Sequence, residues 1–301
     1  MKILILHDET EIELPMMLSE MLEKKSVDVD TKSMEKEVRN FHEIMEALSL
    51  YSHFIVVNNS AGEKVWISLC IGFAWGAKNP VLFFGNNPPY LNENGSWDFR
   101  IIKEKKSFID FLDKGFDEWV EKDNQKKAKN DLLDLGIPFN EESFERCVGE
   151  RNSRAAELFI KAGFSPDARD KNGVPLLNLA ARTGDRNVVR ILLQAGAGIN
   201  RQSKDRGSSA LIDACSGKSP DIVRDLIGSG ADVNLKSKDG QSALIIAVGL
   251  NEEDIVEQLL KAGANPDEPD ALGASARKYA TLFNKPAMVA LFKKFAPGKV
   301  T

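Results

Sequence analysis

A period of 33 to 34 residues runs through the C-terminal half of the chain and limits its fold more than any other feature. Pairs of large apolar residues recur at this spacing, each with a glycine three residues after the pair. A second series of glycines has the same period. The two series are Gly163, Gly196, Gly230 and Gly263, and Gly173, Gly207, Gly240 and Gly273. Two independent markers with one period predict a tandem array whose units bury their apolar faces against one another.

Within one unit, the apolar residues predict two short helices joined by a turn. They recur at helical spacing on either side of Gly184 and Asp185, which mark the turn. These residues are Leu176, Leu177, Ala180 and Ala181, followed by Val188, Val189, Leu192 and Leu193. Each second helix is expected to end at a left-handed glycine, at 196, 230 and 263, because this conformation satisfies the last helical carbonyls.

The stretches Gly240-Gln-Ser-Ala-Leu244-Ile-Ile-Ala247 and Leu259-Leu-Lys-Ala-Gly263 resemble the ankyrin family, whose repeats begin Gly-x-Thr-Pro-Leu-His-x-Ala. The resemblance covers about residues 138–296, as four units and a terminal one that begins at Gly273. Serine replaces the family's threonine at 209, 242 and 275, and its hydroxyl is expected to cap the first helix of its unit. The resemblance implies a non-catalytic, all-α solenoid that binds another protein through its concave surface.

The resemblance also implies that the loops between units and the first helices contact the partner. Charged loop residues are therefore the candidates for partner binding, namely Arg201, Lys204, Arg206, Lys236, Lys238, Asp267 and Asp270. A partner with complementary charge is one interpretation. Solvated charges that only keep the surface soluble are the other, because exposed charges interact weakly at physiological salt.

The first 122 residues alternate short apolar strands with helices, which predicts an α/β domain with a five-stranded parallel sheet in a flavodoxin-like arrangement. Residues 123–137 are predicted to form a polar helical linker, and residues 138–301 the ankyrin part. The predicted strands are Lys2–Leu6, Val27–Thr31, His53–Asn58, Val81–Phe84 and Phe99–Ile102. The predicted helices are 14–25, 38–48, one from 65, and 108–120.

Ligands of such sheets bind beyond the C-terminal ends of the strands. The candidate ligand-pocket residues at or after those ends are His7, Asp8, Asn58, Asn59, Ser60, Gly62 and Cys70. The turn at 58–62 either presents backbone N–H groups to an anion or is an ordinary connection between a strand and a helix. A lone histidine such as His7 is more often structural than a general base.

The segment from Ile55 to Leu82 resembles the core of two related families, the TIR domains and the nucleoside 2-deoxyribosyltransferases. In both, a glutamate on this helix acts at the ribosyl carbon of a nucleoside or of NAD. Here that position is Cys70, whose neutral thiol does not stabilise a cationic sugar. Glu63, at the entrance of the helix, is a weak candidate for a substitute. The resemblance therefore implies the fold without its catalytic residue.

These observations favour a protein-interaction scaffold whose repeats bind a partner, with a degenerate TIR-like domain for assembly or ligand sensing. The alternative is an NAD hydrolase or nucleoside N-glycosidase that its repeats target or regulate. A third interpretation makes the loop at Pro88, Pro89 and Tyr90, with Trp97, a lid over a sensed nucleotide. No cofactor is expected, and NAD or another nucleotide is the one candidate ligand.

The composition of the chain limits the classes of partner and the cellular compartment that we expect. The net charge of -5 does not favour nucleic acid, and no apolar run approaches the about 20 residues of a membrane span. Three separated cysteines do not form a metal site or a disulfide framework, and Cys147 and Cys215 are expected to pack in helices. The sequence therefore predicts a cytoplasmic protein with no metal and no membrane or nucleic-acid partner.

Overall fold

The computed structural model describes residues 1–7, 13–33, 48–58, 79–85 and 99–296. The chain divides into two compact units, Met1–Asp123 and Asn124–Thr301. In the described residues, no helix is long and apolar enough to cross a membrane.

The first unit contains a parallel sheet with the strand order β2-β1-β3-β4-β5. Its strands are β1 Lys2–His7, β2 Asp28–Ser33, β3 His53–Asn58, β4 Val81–Gly85 and β5 Phe99–Ile102. The central strands β1, β3 and β4 are continuous apolar runs, as expected for strands that are buried on both faces. The predicted parallel α/β character of this unit is confirmed.

Three described helices belong to this part of the chain or begin in it: α1 Glu13–Glu23, α2 Lys105–Lys114 and α3 Phe116–Asp134. Leu14, Leu18 and Leu22 of α1 pack against the same core as Ile3 and Ile5 of β1. The predicted helices at 38–48 and from 65 fall mainly or wholly outside the described residues.

The prediction of one helix over 108–120 is wrong, because the structure has two helices that meet at Gly115. The N–H of Gly115 donates to the carbonyl of Phe111 at 2.7 Å and ends α2. A Cβ atom at Gly115 would lie 2.8 Å from the Phe111 ring, so the close approach of this ring requires glycine. Glycine also weakens a helix interior, and α3 begins at the next residue.

A buried contact joins residues 119–123 of α3 to β3 within the first unit. His53 begins β3, and its Nε2 lies 3.4 Å from Oδ2 of Asp123 on α3. The histidine Nδ1 is 2.9 Å from Oγ of Ser52, and the ring makes an edge contact with Trp119. Both His53 and Asp123 are buried.

The second unit contains five helix pairs, which we number repeats 1 to 5. Their helices are α4 Glu141–Gly149, α5 Ser153–Lys161, α6 Leu176–Thr183, α7 Arg186–Gln194, α8 Ala210–Ser216, α9 Pro220–Gly228, α10 Ala243–Leu250, α11 Glu253–Lys261, α12 Ala276–Leu282 and α13 Pro286–Phe295. First helices pack on first helices and second helices on second helices. One apolar core runs from Leu132 to Phe292.

The predicted helix signals are confirmed in this unit. The side-chain oxygens of Ser209, Ser242 and Ser275 accept hydrogen bonds from the N–H groups three residues later, at 3.3 to 3.4 Å. The glycines at 196, 230 and 263 have φ values of 87°, 90° and 89°, the left-handed conformation that the sequence predicts. Each cap satisfies backbone groups that the helix itself leaves unpaired.

The first repeat departs from the pattern, and four phenylalanines supply its packing. Phe144 and Phe159 are fully buried and stacked, with ring centroids 5.0 Å apart. Phe139 and Phe164 pack on Phe159 at 6.1 and 5.1 Å. A terminal repeat has one neighbour only, and large aromatic rings bury more apolar surface per residue than the leucines and alanines of the inner repeats.

Gly240 lies very close to the backbone of the next loop, and its replacement by alanine tests the packing of the repeats. Its φ is 73°, and an added Cβ would lie 2.7 Å from the backbone nitrogen of Ala271 in the next loop. We expect Gly240→Ala to lower the free energy of unfolding by about 2 kcal/mol, through left-handed strain and displacement of the next loop. Urea denaturation followed by circular dichroism measures the change.

Gly228→Ala is the matched control, because Gly228 ends α9 without a positive φ and a Cβ there meets no atom within 4 Å. We expect this variant to be as stable as the wild type or up to about 1 kcal/mol more stable. Equal stability of the two variants would show that the loops do not determine the stacking.

Candidate functional site

The C-terminal edge of the parallel sheet carries two of the predicted pocket residues. His7 ends β1, where it pairs with Val57 of β3 and Ser33 of β2. Asn58 ends β3 and pairs with Gly85 of β4. The two residues lie on neighbouring strands at the point where the strand order reverses direction. His7 is 8% exposed, so its side chain is largely within the unit.

The other predicted residues of that pocket cannot be placed with them. They are Asp8, Asn59, Ser60, Gly62 and Cys70, all outside the described residues, as is Glu63, the weak catalytic candidate. The proposed lid, with Pro88, Pro89, Tyr90 and Trp97, lies outside them too. Among the residues that the structure does describe, no group of histidine, cysteine, aspartate and glutamate could hold a metal ion.

In the second unit, the loops between repeats are joined by a row of backbone hydrogen bonds. The N–H of Lys204 donates to the carbonyl of Gly173 at 3.1 Å, and the N–H of Lys238 to that of Arg206 at 2.9 Å. The N–H of Ala271 donates to the carbonyl of Asp239 at 3.0 Å. Each bond joins one loop to the next, so the tips of four successive loops form one hydrogen-bonded row.

Side chains reinforce this row at a position that repeats with the period of the chain. Arg169 Nη1 donates to the carbonyls of Gly173 and Gln202, at 2.6 and 3.1 Å. Gln202 Nε2 donates to the carbonyls of Gly207 and Lys236, at 2.6 and 2.7 Å. Lys236 Nζ reaches the carbonyl of Pro269 at 2.9 Å. We call these bonds, with the backbone row, the loop ladder.

A second set of periodic contacts uses short polar side chains. Asp167 Oδ1 accepts the N–H of Gly198 at 2.8 Å, and Asn200 Oδ1 accepts that of Asp232 at 2.9 Å. Asn234 Oδ1 accepts the N–H of Asn265 at 2.9 Å. Because these bonds fix the loop backbone, a partner that binds the tips meets a surface that is already ordered, which lowers the entropy cost of binding.

Four of the five predicted partner-binding cations have partners within the chain, and three of these are bound by a neighbouring loop. Arg201 pairs with Asp167 at 2.7 Å, and Lys236 pairs with Glu268 at 2.6 Å. The ammonium of Lys238 donates to the carbonyls of Lys204 and Asp205. These residues therefore stabilise the loops, and their charge is partly neutralised or directed into the protein.

The two predicted acidic residues are also engaged. Asp267 accepts two hydrogen bonds from Arg277, at 2.7 and 3.1 Å, which hold the pKa of its carboxyl below the usual value. Asp270 is 8% exposed and accepts from the N–H groups of Leu272 and Ala274 and from the hydroxyl of Tyr279. The tyrosine bond is the main reason that the pKa of Asp270 is lowered. Asp270 is thus positioned to order its own loop.

The two remaining predicted cations are Lys204 and Arg206. Lys204 is exposed, and its ammonium has no ion pair or hydrogen-bond acceptor among the residues described. Arg206 Nη2 lies 3.5 Å from Asp213 of α8, a carboxylate that the sequence interpretation did not single out. Asp213 interrupts the apolar stretch Ala210 to Cys215, and that charge within a buried run was the available signal.

Asp213 is 1% exposed and is held by two arginines from different repeats. Arg182 of α6 makes a bidentate contact, with Nε and Nη2 each 3.2 Å from a carboxylate oxygen. Arg206 approaches from the loop. Burial raises the pKa of Asp213, and its loss of hydration outweighs the lowering by the two arginines. This cluster joins the loops to the first helices in one continuous surface.

The first helices of the last repeats expose large apolar side chains, another feature that sequence reasoning missed as a site. Leu250 is 37% exposed, Leu282 68% and Phe283 56%. Tyr279 stacks on Phe283, with ring centroids 5.7 Å apart. The signal in the sequence is the periodic position of Leu250 and Phe283, where repeat 2 has Thr183 and repeat 3 has Gly217.

The two described cysteines play a packing role, as predicted. Cys147 and Cys215 are free and buried, and burial raises the pKa of both thiols. A protonated thiol without access to solvent is not a nucleophile, so neither residue is suited to chemistry.

The fold and its loop surface define a helical-repeat solenoid attached to a parallel α/β unit. The family model for ankyrin repeats (3 copies) matches residues 145–237 and 211–296. An ankyrin repeat-containing protein of Treponema pallidum (strain Nichols) is 34% identical over 220 residues, which cover 73% of this chain and 74% of the relative. The chain therefore belongs to the ankyrin-repeat family.

Other relatives share the repeats over a smaller part of their length. The B-cell lymphoma 3 protein homolog of Mus musculus is 34% identical over 99 residues, 33% of this chain and 22% of that protein. The neurogenic locus notch homolog protein 1 of Homo sapiens is 33% identical over 141 residues, 46% of this chain and 6% of that protein. The likeness to the Treponema protein covers more residues than the range 145–296 contains, so it extends beyond the repeats.

Two carboxylates whose pKa values are shifted in opposite directions, Asp213 and Asp225, predict opposite dependences of stability on pH. The pKa of Asp213 is raised above 3.8, so its contribution to stability is present below 3.8 and is lost as pH rises through the folded-state pKa. Asp213→Asn does not titrate. We therefore expect the stability of this variant relative to wild type to increase between about pH 4 and about pH 7, measured by urea denaturation.

Asp225 is the matched control, because Arg186 binds it with two hydrogen bonds, at 2.7 and 2.9 Å, and lowers its pKa below 3.8. Its contribution is present above 3.8 and is lost as pH falls through the folded-state pKa. We expect Asp225→Asn to cost about 0.5 to 1 kcal/mol at about pH 7 and progressively less toward about pH 3. The same sign of pH dependence for both variants would contradict this interpretation of the two sites.

Proposed function

We propose that the chain is an interaction protein, in which the loops and first helices of repeats 2 to 5 bind another protein. The observation that carries this proposal is the loop ladder, which holds four loop tips in one ordered row while leaving side chains such as Lys204 exposed. Members of the ankyrin-repeat family generally bind other proteins, which supports a protein-interaction role. The buried free thiols fit a reducing compartment, and we place the protein in the cytoplasm as part of this proposal.

The proposal for the first unit is a degenerate, TIR-like module for assembly or ligand sensing. Its strand order, β2-β1-β3-β4-β5, matches the flavodoxin-like order and supports a ligand at the edge between β1 and β3. His7 and Asn58 end these two strands. Assembly and sensing need no catalytic carboxylate, which agrees with the cysteine at position 70.

Site-specific photo-crosslinking tests the protein-binding proposal in cells that express the chain natively. The photoreactive residue p-benzoylphenylalanine is placed at 204 or 239 on the loops, and at 190 or 261 on second helices, where the native side chains are also exposed. We expect covalent adducts with another protein from the loop positions and about tenfold less from the second-helix positions. Adducts mainly from positions 190 and 261, or from none of the four, would refute the proposal.

The alternative function is cleavage of NAD or of a nucleoside at the same sheet edge. Its support is the pair His7 and Asn58 beside the strand-order reversal, where nucleotides bind in sheets of this order. The test is incubation of the full chain with NAD and with deoxynucleosides, followed by chromatography of the released base. Our leading proposal expects no release above the buffer control. Turnover that disappears in Glu63→Gln would replace it with the enzymatic one.

A further inference from the structure

One side of the first helices forms a surface whose residues change in chemical type along the repeats. We define this first-helix face by the positions that recur at 179, 213, 246 and 279, and by those three and four residues later. Residues at these spacings lie on one side of a helix. Two contacts join this face to the loops, from Arg206 to Asp213 and from the Tyr279 hydroxyl to Asp270. The face and the loop tips therefore form one surface.

Repeats 4 and 5 make their part of the face apolar. The residue that ends the exposed row is Thr183 in repeat 2 and Gly217 in repeat 3, but Leu250 in repeat 4 and Phe283 in repeat 5. Leu282 adds a side chain that is 68% exposed. Among the repeats' residues that the structure describes, the exposed large apolar side chains are these three and Leu272, which lies on the loop of repeat 5. An apolar cluster confined to one end of a face is typical of a binding surface.

Repeats 2 and 3 make their part of the face cationic. Arg182 and Arg206 share the carboxylate of Asp213, and Arg206 Nε also lies 3.8 Å from Asp205 on its own loop. Lys204 adds an ammonium that is unpaired within the described part of the chain, and the Lys238 ammonium lies against the carbonyl of Lys204. Although Asp205 and Asp239 lie on the same loops, these cations outnumber the carboxylates. Acidic groups complement this part of the face.

We propose that this face binds a segment of another protein that carries acidic side chains at one end and large apolar side chains at the other. The acidic end lies over Lys204, Arg206 and Arg182, and the apolar end over Leu250, Leu282 and Phe283. This inference rests on the proposed function and specifies its partner. A second copy that binds through this same face is a poorer match, because the face has no acidic end to set against its own cations.

Selection from a display library of random short peptides on the immobilised full chain tests this chemistry. We expect the recovered sequences to place aspartate or glutamate at one end and leucine, isoleucine, phenylalanine or methionine at the other. The strongest peptide is then synthesised with a fluorophore, and its affinity is measured by anisotropy. Lys204→Glu and Leu282→Ser should each weaken binding by about tenfold, because one reverses the charge and the other removes the apolar contact.

Matched controls carry the same substitutions at exposed sites outside the face. Lys161→Glu on α5 and Leu133→Ser on α3, whose side chains are about as exposed, should bind within about twofold of wild type. Circular dichroism confirms that all four variants are folded. A photoreactive group at the apolar end of the peptide should label repeats 4 and 5, whereas one at the acidic end should label repeats 2 and 3.

Several outcomes would overturn the inference: recovery of basic peptides or of none, equal binding by Lys204→Glu and the control, or labelling in the reverse order. A dimer in sedimentation that Leu282→Ser dissociates would assign the apolar cluster to a second copy instead. The proposed function and this inference fail in different ways. The absence of any crosslinked partner contradicts the proposed function. If a native crosslinked partner still binds the double variant K204E/L282S, the function stands and this inference fails.

Discussion

A helix pair of seven to ten residues per helix cannot bury its own apolar face, and the second unit depends on this constraint. Each repeat completes its core with residues from its neighbours, so the core is continuous from Leu132 to Phe292. The constraint also explains the ends. Stacked phenylalanines fill the core of repeat 1 together with Leu132 of α3, and Met288 and Phe292 are buried in the last repeat. The period of the sequence is therefore the spacing at which one repeat packs on the next.

Hydrogen bonds between the loops help to maintain the spacing of the repeats. The polar residues of the loops therefore fall into two groups. Arg201, Lys236, Asp267 and Asp270 are engaged within the chain, and they order the loops. Lys204 is exposed and its ammonium has no such contact in the described part of the chain, while Arg182 and Arg206 share Asp213 and Arg206 also lies near Asp205. The charge of a loop residue alone therefore does not show that the residue binds a partner. Its contribution to partner binding depends on whether the neighbouring repeat already forms an ion pair or hydrogen bond with it.

The sequence predicts what repeats locally and misses what depends on contacts between distant residues. The serine caps and left-handed glycines follow from positions within one unit, and the structure has them where the pattern places them. The break at Gly115 depends on the approach of the Phe111 ring, and the prediction of a single helix missed this break. The role of Asp213 depends on Arg182, which lies 31 residues earlier. Of the predicted pocket in the first unit, only His7 and Asn58 fall within the described residues.

We propose that the loops and first helices of the repeats are the binding surface of the chain. Hydrogen–deuterium exchange of the full chain, with and without its crosslinked partner, tests this proposal. We expect binding to slow exchange in the loops near 203–206 and 236–240 and at the ends of the first helices near 249–251 and 282–284, with little change in α7, α9 and α11. Slower exchange confined to those second helices, or to residues 1–123, would contradict it.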